Sequence, residues 1–265
     1  MHLKNKVIVV TGGGNGVGRE VVLTLLNKGA SVAAVDLNEK GLNETFSLSG
    51  KNKRLSLHTL NISDQKAVYA LVEEVIAYHG YVDGIINNAG IIQPFIHVDE
   101  MDMDKINRVI NVNFYGTLYM TKAFLPELKK RPDSHITNIS SIGGFFPVPG
   151  QSIYGASKAA VKLLTEALYA ELADTNVGVS VVIPGGIATN IMKNSDLDIK
   201  TTDVEAKGTN LLLTPQKAAH LIITSIEKNK FRMFIGKDAN LMNVLYKFSP
   251  KTAIKLMKKM LALQS

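Results

Sequence analysis

Tyr154 and Lys158, four residues apart, are the first residues of this 265-residue sequence with an evident chemical use. On a helix, this spacing brings the phenol and the ammonium onto one face. A free tyrosine has a pKa of about 10, too high for efficient proton exchange at neutral pH, and a neighbouring cation favours the phenolate. Ser141 precedes the tyrosine and could hydrogen-bond a substrate oxygen that Tyr154 protonates. The set predicts general acid–base catalysis, with a solvated surface pair as the alternative for the tyrosine and lysine alone.

A glycine-rich turn gives a second chemical signal. The run Thr-Gly-Gly-Gly-Asn-Gly-Val-Gly at 11–18 follows an apolar segment and precedes a helical pattern. Pyrophosphate binds backbone N–H groups without side chains in the way, at the positive end of a helix. Val17 stands where the usual dinucleotide pattern has its third glycine, so a merely flexible turn is the alternative. The residues expected to bind a dinucleotide here are Gly12, Asn15, Gly16, Val17 and Gly18.

Asp36 ends the second apolar run, downstream of this turn. A carboxylate at that place can accept hydrogen bonds from both hydroxyls of an adenosine ribose, and it repels a 2′-phosphate. Neither Asn15 nor Leu37 offers a cation for such a phosphate. The sequence therefore predicts NAD(H) as the preferred cofactor over NADP(H), while a helix N-cap is the alternative role for the acid.

Seven short apolar runs alternate with longer amphipathic stretches and would position these groups. Their consecutive apolar residues are typical of parallel strands buried on both faces, which implies one α/β domain with a doubly wound, seven-stranded parallel sheet flanked by helices. The predicted strands are 7–10, 32–35, 54–60, 82–86, 135–139, 177–183 and 231–235. The predicted helices are 16–28, 39–48, 64–79, 102–128, 153–174 and 215–229. Ser141 follows the fifth strand, at the carboxyl edge where α/β sheets bind ligands.

In their order, these motifs resemble the short-chain dehydrogenase/reductase family in its common single-domain form, to about residue 236. The match includes the glycine turn, the Asn-Asn-Ala-Gly segment at 87–90 and the serine, tyrosine and lysine set. The resemblance implies a Rossmann-type fold and an oxidoreductase that interconverts a secondary alcohol and a ketone by hydride transfer. It also implies a homo-oligomer, a dimer or tetramer, formed through the helices at 102–128 and 153–174.

The resemblance also assigns roles to single residues. It makes Tyr154 the general acid/base, with Ser141 holding the substrate oxygen. Lys158 would bind the nicotinamide ribose, and Asn113 would hold a water in a proton relay. Further cofactor contacts that it implies are Asn88, Ala89, Gly90, Pro184, Gly185, Ile187 and Thr189.

One departure from the family pattern follows the third strand. Asn61 stands where the family often has an aspartate near the adenine. Its carbonyl oxygen can still accept a hydrogen bond from the adenine amino group, so we expect adjusted adenine binding by Asn61 and the adjoining Ile62.

Composition narrows the classes of function. The net charge is +7, and the chain has no cysteine, which excludes disulfides, thiolate catalysis and cysteine-ligated zinc and fits a cytoplasmic protein. Six scattered histidines predict no metal site, and no recognition motif points to nucleic acid. No apolar run is long enough to span a bilayer, and the first residues leave no room for a secretory signal.

Two segments remain outside the core pattern. Residues 188–213 are polar and weakly periodic, and we expect a substrate lid there. Residues 237–265 hold six lysines and one acid and form a basic amphipathic helical extension. This extension would dock on the domain or on a partner subunit, or would rest on an anionic membrane surface as a peripheral contact.

The substrate and the overall activity keep alternatives. Apolar segments at 91–95 and 145–149 suit a hydrophobic ketone or alcohol, although the phenylalanines could equally pack under the lid or at a subunit contact. An NADP-dependent reductase of acyl-chain or steroid-like ketones is one alternative activity. A catalytically silent dinucleotide-binding regulator is another, which the presence of all three catalytic side chains disfavours.

Overall fold

A seven-stranded parallel sheet forms the centre of the molecule. The computed structural model describes residues 1–188, 195 and 212–262. The strand order is β3-β2-β1-β4-β5-β6-β7, so the predicted doubly wound parallel sheet is confirmed. The order reverses between β1 and β4, and ligands bind in α/β folds at the carboxyl ends of strands beside such a reversal. The strands are β1 Val7–Thr11, β2 Ser31–Asp36, β3 Leu55–Thr59, β4 Gly84–Asn87, β5 Ser134–Ile139, β6 Val177–Pro184 and β7 Arg232–Ile235.

Helices connect the strands and cover both faces of the sheet. They are α1 Gly16–Asn27, α2 Glu39–Leu48, α3 Gln65–His79, α4 Met103–Ile110, α5 Thr117–Lys129, α6 Ser152–Glu171, α7 Pro215–Glu227, α8 Lys237–Phe248 and α9 Pro250–Ala262. Two short 3-10 turns lie at Val98–Glu100 and Ile142–Gly144.

Consecutive residues of β1 explain why helices pack on both faces. Ile8 and Val10 point to one side and join a buried cluster that includes Leu25 of α1 and Ile222 of α7. Val9 points to the other side and joins a cluster with α3, α5 and α6. Because successive side chains of a strand alternate between the faces, an unbroken apolar run buries both.

A π turn at Asn111–Gly116 joins α4 to α5 and divides the single helix predicted at 102–128. Asn113 lies within this turn and is fully buried. The Thr117 hydroxyl donates to the Asn113 carbonyl at 2.9 Å, so this buried oxygen is satisfied. Single π turns inside helices are frequent at functional sites, and this one carries a predicted catalytic residue.

Candidate active site

The turn after β1 has the backbone that the glycine pattern predicts. Gly12 has a φ of +72°, in the left-handed region that favours glycine, and a Cβ there would meet Asn88 Nδ2 at 2.8 Å. Asn15 caps α1, its side chain accepting from Gly16 N at 2.6 Å. The turn therefore presents bare backbone at a helix N-terminus, which fits a dinucleotide pyrophosphate.

Thr11 joins this turn to the segment after β4. Its hydroxyl oxygen accepts from the backbone N–H groups of Asn88 and Ala89, both at 3.0 Å. The Asn88 side chain donates in return to the Thr11 carbonyl at 3.1 Å. Two of the predicted cofactor segments are thus fixed against each other at the point where the strand order reverses.

Asp36 ends β2 beside the glycine turn. Its Oδ2 accepts from Gly14 N at 2.9 Å, and its Oδ1 accepts from Asn38 N at 2.9 Å. An ionised carboxylate has about four acceptor sites, so each oxygen keeps capacity for a hydroxyl of a ribose. Asp36 therefore lies where the sequence predicted it, with its orientation set by two backbone donors.

Arg19 is a residue of this region that the sequence analysis missed. Its guanidinium donates to the Gly14 carbonyl at 2.6 Å and pairs with Glu44 at 2.7 Å. The hydrogen bond from Arg19 lowers the pKa of the Glu44 carboxyl. This cation is therefore already occupied by partners in the protein, close to the carboxylate of Asp36.

Asn61 makes local hydrogen bonds that its sequence position did not predict. Its Oδ1 accepts from the backbone N–H of Ser63 at 3.0 Å and from the Ser63 hydroxyl at 2.8 Å. Asparagine commonly makes such turns before a helix, and α3 begins at Gln65. The carbonyl oxygen expected to receive the adenine amino group is thus engaged locally, and the side chain of Ile62 is buried.

Lys158 is the most buried charged group of the site. Only 5% of the residue is exposed, and its Nζ donates to the Ile139 carbonyl at 3.1 Å. A Cβ on Gly90 would lie 3.1 Å from this Nζ and 3.2 Å from Asn113 Oδ1. Three predicted site residues therefore meet at Gly90, where any side chain would crowd the lysine.

Tyr154 and Ser141 lie together beside the 3-10 turn. A Cβ on Gly143 would approach the Tyr154 ring at 3.3 Å and Ser141 Oγ at 3.6 Å. Burial raises the pKa of the Tyr154 phenol, and a hydrogen bond with Ser141 offsets part of that rise. Desolvation outweighs this hydrogen bond, so the pKa of the Tyr154 phenol lies above its ordinary value and not below it, as the sequence predicted.

Burial acts on the lysine as well. It lowers the pKa of Lys158 to about 8, because the charged ammonium has lost most of its contact with water. Because the buried Lys158 ammonium has lost most of its hydration, an interaction with a neighbouring anionic or hydroxyl group would stabilise it.

Asn113 ties three parts of the site together. Its Oδ1 accepts from Ile91 N at 2.8 Å, and its Nδ2 donates to the Ile91 carbonyl at 2.9 Å and to Ser157 Oγ at 3.0 Å. Ser157 Oγ in turn donates to the Tyr154 carbonyl at 2.7 Å. The amide therefore positions both the segment after β4 and the first turns of α6.

Gln93 performs a structural task that the sequence analysis did not assign. Its Oε1 accepts from the N–H groups of Ile153 and Tyr154 at 2.7 and 2.9 Å, and the residue is fully buried. These N–H groups belong to the first turn of α6, where backbone N–H groups have no acceptor within the helix itself. The Gln93 amide thus takes the place of a local N-cap for the helix that carries Tyr154 and Lys158.

The loop after β6 contains the last predicted cofactor contacts. Gly185 N donates to the Ile235 carbonyl at 2.8 Å, so Pro184 and Gly185 are held at the end of the sheet. Ile187 pairs with Leu213 in an isolated parallel bridge. Thr189 lies outside the described residues, as does most of the segment predicted as a lid, although Ser195 accepts from Ile92 N at 3.0 Å.

The phenylalanines after Ser141 are packed inward. Phe146 is only 1% exposed, and Phe145 makes edge-to-face contacts with Phe234 and with Tyr246 of α8. Phe95, in contrast, is half exposed. Phe146 therefore belongs to the protein core, and α8 packs against this loop through Tyr246.

Among residues 1–188, 195 and 212–262, no cluster of three histidine or acidic side chains has metal-binding geometry. Within the same ranges, no helix combines the length and the apolar composition needed to cross a bilayer.

Comparisons with known proteins point to one protein family. The family model described as short chain dehydrogenase matches residues 6–200. A putative oxidoreductase, SadH, of Mycobacterium tuberculosis is 38% identical, with 91% of this chain and 90% of the relative covered.

Two solved structures have a similar fold. A short chain dehydrogenase/reductase of Burkholderia phymatum in complex with NAD is 25% identical, with a TM-score of 0.80 over 88% of this chain and 90% of that one. A short chain dehydrogenase of Burkholderia cenocepacia in complex with NADP is also 25% identical, with a TM-score of 0.80 over 97% and 99%. Proteins similar to this chain therefore bind either dinucleotide.

Proposed function

This chain belongs to the short-chain dehydrogenase family of oxidoreductases, and we propose that it uses NAD(H) to interconvert a secondary alcohol and a ketone. Two observations support the proposal: Tyr154 and Ser141 lie together beside Gly143, and the buried Lys158 ammonium lies beside Gly90. Ser141 follows β5, and Asp36 ends β2 of the same parallel sheet. An acid/base group and a ribose-binding carboxylate on one sheet edge are the two parts that such a reaction needs.

The residues would divide the work as follows. A bound nicotinamide dinucleotide supplies or accepts the hydride. Tyr154 gives its phenolic proton to the carbonyl oxygen during reduction and recovers it during oxidation. Ser141, already hydrogen-bonded to the phenol, holds that oxygen beside it.

Lys158 and Asn113 would support this proton transfer. The buried ammonium lies next to Gly90, where it would bind a ribose hydroxyl of the dinucleotide. Asn113 fixes the backbone around both residues, and in the proposed relay it also holds a water.

A preference for NAD(H) follows from the charges around Asp36. A 2′-phosphate on the ribose would meet this carboxylate, and the nearby Arg19 is already paired with Glu44. NADP(H) is the second candidate, since one of the similar structures is titled as a complex with NADP. The steady-state ratio of kcat/KM for the two dinucleotides separates them, and Asp36→Ala is expected to shift that ratio toward NADP(H).

The substrate remains defined by class only. We propose a hydrophobic alcohol or ketone, and acyl-chain or steroid-like ketones belong to the same class. A homo-oligomer is proposed through the segment from α4 to α5 and through α6, where Met103 of α4, Tyr115 of the π turn and Leu163 of α6 are exposed. A cytoplasmic location stays a prediction from composition.

The decisive experiment is a panel of secondary alcohols and ketones with each dinucleotide, followed at the absorbance of the reduced nicotinamide. Tyr154→Phe is expected to lower kcat by about 10²–10⁴, because only the proton donor is lost. Tyr169→Phe on the same helix is the matched control, since its half-exposed ring stacks on Phe231 away from the site. Turnover by Tyr154→Phe within about tenfold of the unmutated enzyme would refute the assignment.

A further inference from the structure

Helix α8 exposes an apolar strip that nothing described in the structure covers. Leu241, Val244 and Phe248 are 65%, 51% and 85% exposed. Their spacing of three and four residues places them on one side of the helix. Ala239, on the opposite side, is fully buried and anchors α8 to the domain.

Helix α9, which packs against α8, exposes a lysine face. Lys251, Lys255, Lys258 and Lys259 occupy one sector of the helix, and all four are exposed. Ala253 lies on the other side of α9 and is fully buried. Pro250 starts α9 directly after α8 ends, and the two helices pack against each other, so the strip and the lysine face lie on neighbouring helices.

We propose that this surface of α8 and α9 docks the protein on an anionic lipid bilayer. Leu241, Val244 and Phe248 would enter the boundary between headgroups and acyl chains, and the lysines would contact acidic headgroups. Insertion of apolar side chains and attraction of lysines to anionic lipids are each weak, and together they give stable peripheral binding.

The charge of this surface favours an anionic bilayer as its partner over a second copy of the chain. Residues 237–265 contain six lysines and a single acid, Asp238, which hydrogen-bonds to Gly186. A symmetric contact between two such surfaces would bring like charges together, which opposes association. An acidic bilayer instead complements every lysine, at about a fivefold gain in partitioning for each one near the surface.

The surface adjoins the candidate site. Tyr246 of α8 packs against Phe145 and Phe146, in the loop that begins at Ser141. Docking through α8 would therefore bring this side of the site to the bilayer, where a hydrophobic substrate dissolves. This last step rests on the proposed function, whereas membrane binding itself does not.

The test is co-sedimentation of the full chain with phosphatidylcholine vesicles, with and without phosphatidylserine. We expect binding that needs phosphatidylserine and weakens in high salt. Leu241→Ser with Phe248→Ser should lower the partition coefficient at least tenfold, and Lys255→Glu with Lys258→Glu should do the same, on the order of magnitude that these contacts provide.

Matched control variants are Leu48→Ser, a similarly exposed leucine at the end of α2, and Lys53→Glu with Lys66→Glu, two exposed lysines elsewhere. They should bind vesicles like the unmutated protein. Failure of the unmutated protein to sediment with acidic vesicles overturns the proposal. So does a result in which Leu241→Ser with Phe248→Ser reduces oligomeric mass in ultracentrifugation but leaves vesicle binding unchanged, since the strip would then be a contact between copies.

Discussion

Asp238 Oδ2 accepts a hydrogen bond of 2.7 Å from the backbone N–H of Gly186. This contact ties the first turn of α8 to the loop after β6. A Cβ on Gly185 would fall against the same carboxylate, so the two segments pack without a gap. The C-terminal extension thus shapes a loop that is proposed to contact the cofactor.

We therefore expect Asp238→Ala to raise the KM for the dinucleotide by about tenfold, because a hydrogen bond to a charged group contributes about 1.5 kcal/mol or more. The kcat should change less, since Tyr154 and Lys158 are held by other elements. Steady-state kinetics with varied dinucleotide measure both constants. Asn240→Ala, two residues along the same helix, is the control, and equal KM values for the two variants would contradict the role of Asp238.

A second prediction concerns Gln93 and the start of α6. Gln93→Leu keeps the volume and removes the acceptor for Ile153 N and Tyr154 N. Each of these two partly buried N–H groups, if left unpaired, costs about 1–3 kcal/mol, so the free energy of unfolding should fall by about 2–6 kcal/mol. Urea denaturation measures this change.

The same variant separates positioning from simple stability. Because Gln93 holds the first turn of the catalytic helix, kcat should fall while the KM for the dinucleotide stays near its original value. Gln216→Leu, an exposed glutamine on α7, should alter neither quantity. A Gln93→Leu enzyme of lower stability but full kcat would show that the contact does not orient Tyr154.

The sequence was sufficient to predict the parallel sheet and which residues lie at the ends of its strands. Unbroken apolar runs such as that of β1 can be buried only between two helical layers, so the fold follows from local pattern. Residues at strand ends, such as Asp36 and Ser141, reach the site edge for the same reason. Local pattern therefore predicts which residues come to the sheet edge.

Local sequence pattern does not predict which polar groups form hydrogen bonds with each other when they lie far apart along the chain. Gln93 and Asp238 act on backbone N–H groups that lie more than fifty residues away along the chain. Only the tertiary fold brings such groups together. The one feature of the sequence that could have drawn attention to Asp238 is that it is the single acid in the basic extension. The π turn around Asn113 and the raised pKa of Tyr154 likewise depend on packing and burial.

A third prediction concerns the acid sensitivity that His135 gives to the fold. Its Nε2 lies 2.8 Å from Ser180 Oγ, and burial lowers its pKa to about 3. The unfolded chain binds a proton near pH 6.5, so stability is lost as the pH falls from about 6.5 toward 3. His135→Gln should reduce the loss between about pH 7 and pH 5 by about 2 kcal/mol.

Urea denaturation at both pH values gives this difference independently of any constant cost of the substitution. His220→Gln, at an exposed position on α7, should leave the loss unchanged. Burial of His79, with a contribution from the charge of His58, lowers the His79 pKa to about 4, so part of the acid sensitivity should survive in His135→Gln. An unaltered loss in that variant would mean that His135 is protonated within the fold.

The last prediction is that Lys158 costs stability in exchange for its chemical role. Burial lowers its pKa from 10.5 to about 8, so near neutral pH the folded state holds an ammonium that prefers water. Lys158→Met should therefore raise the free energy of unfolding near pH 7 by about 1–3 kcal/mol while it abolishes most of kcat. The hydrogen bond to the Ile139 carbonyl is lost in this variant, which keeps the gain below the full value of the pKa shift.

The pH dependence of the stability difference shows whether the buried ammonium is its cause. Between about pH 8 and 10.5, the unfolded chain binds more protons at this lysine than the folded protein does. The free energy of unfolding of the unmutated protein therefore increases, relative to that of Lys158→Met, as the pH rises through this range. The advantage of the methionine variant should accordingly be complete below about pH 8 and shrink above it. Lys162→Met, one turn along α6 and paired with Glu166, should show no comparable gain. A methionine variant that is less stable at neutral pH, by an amount independent of pH, would show that the buried ammonium is not a burden on the fold.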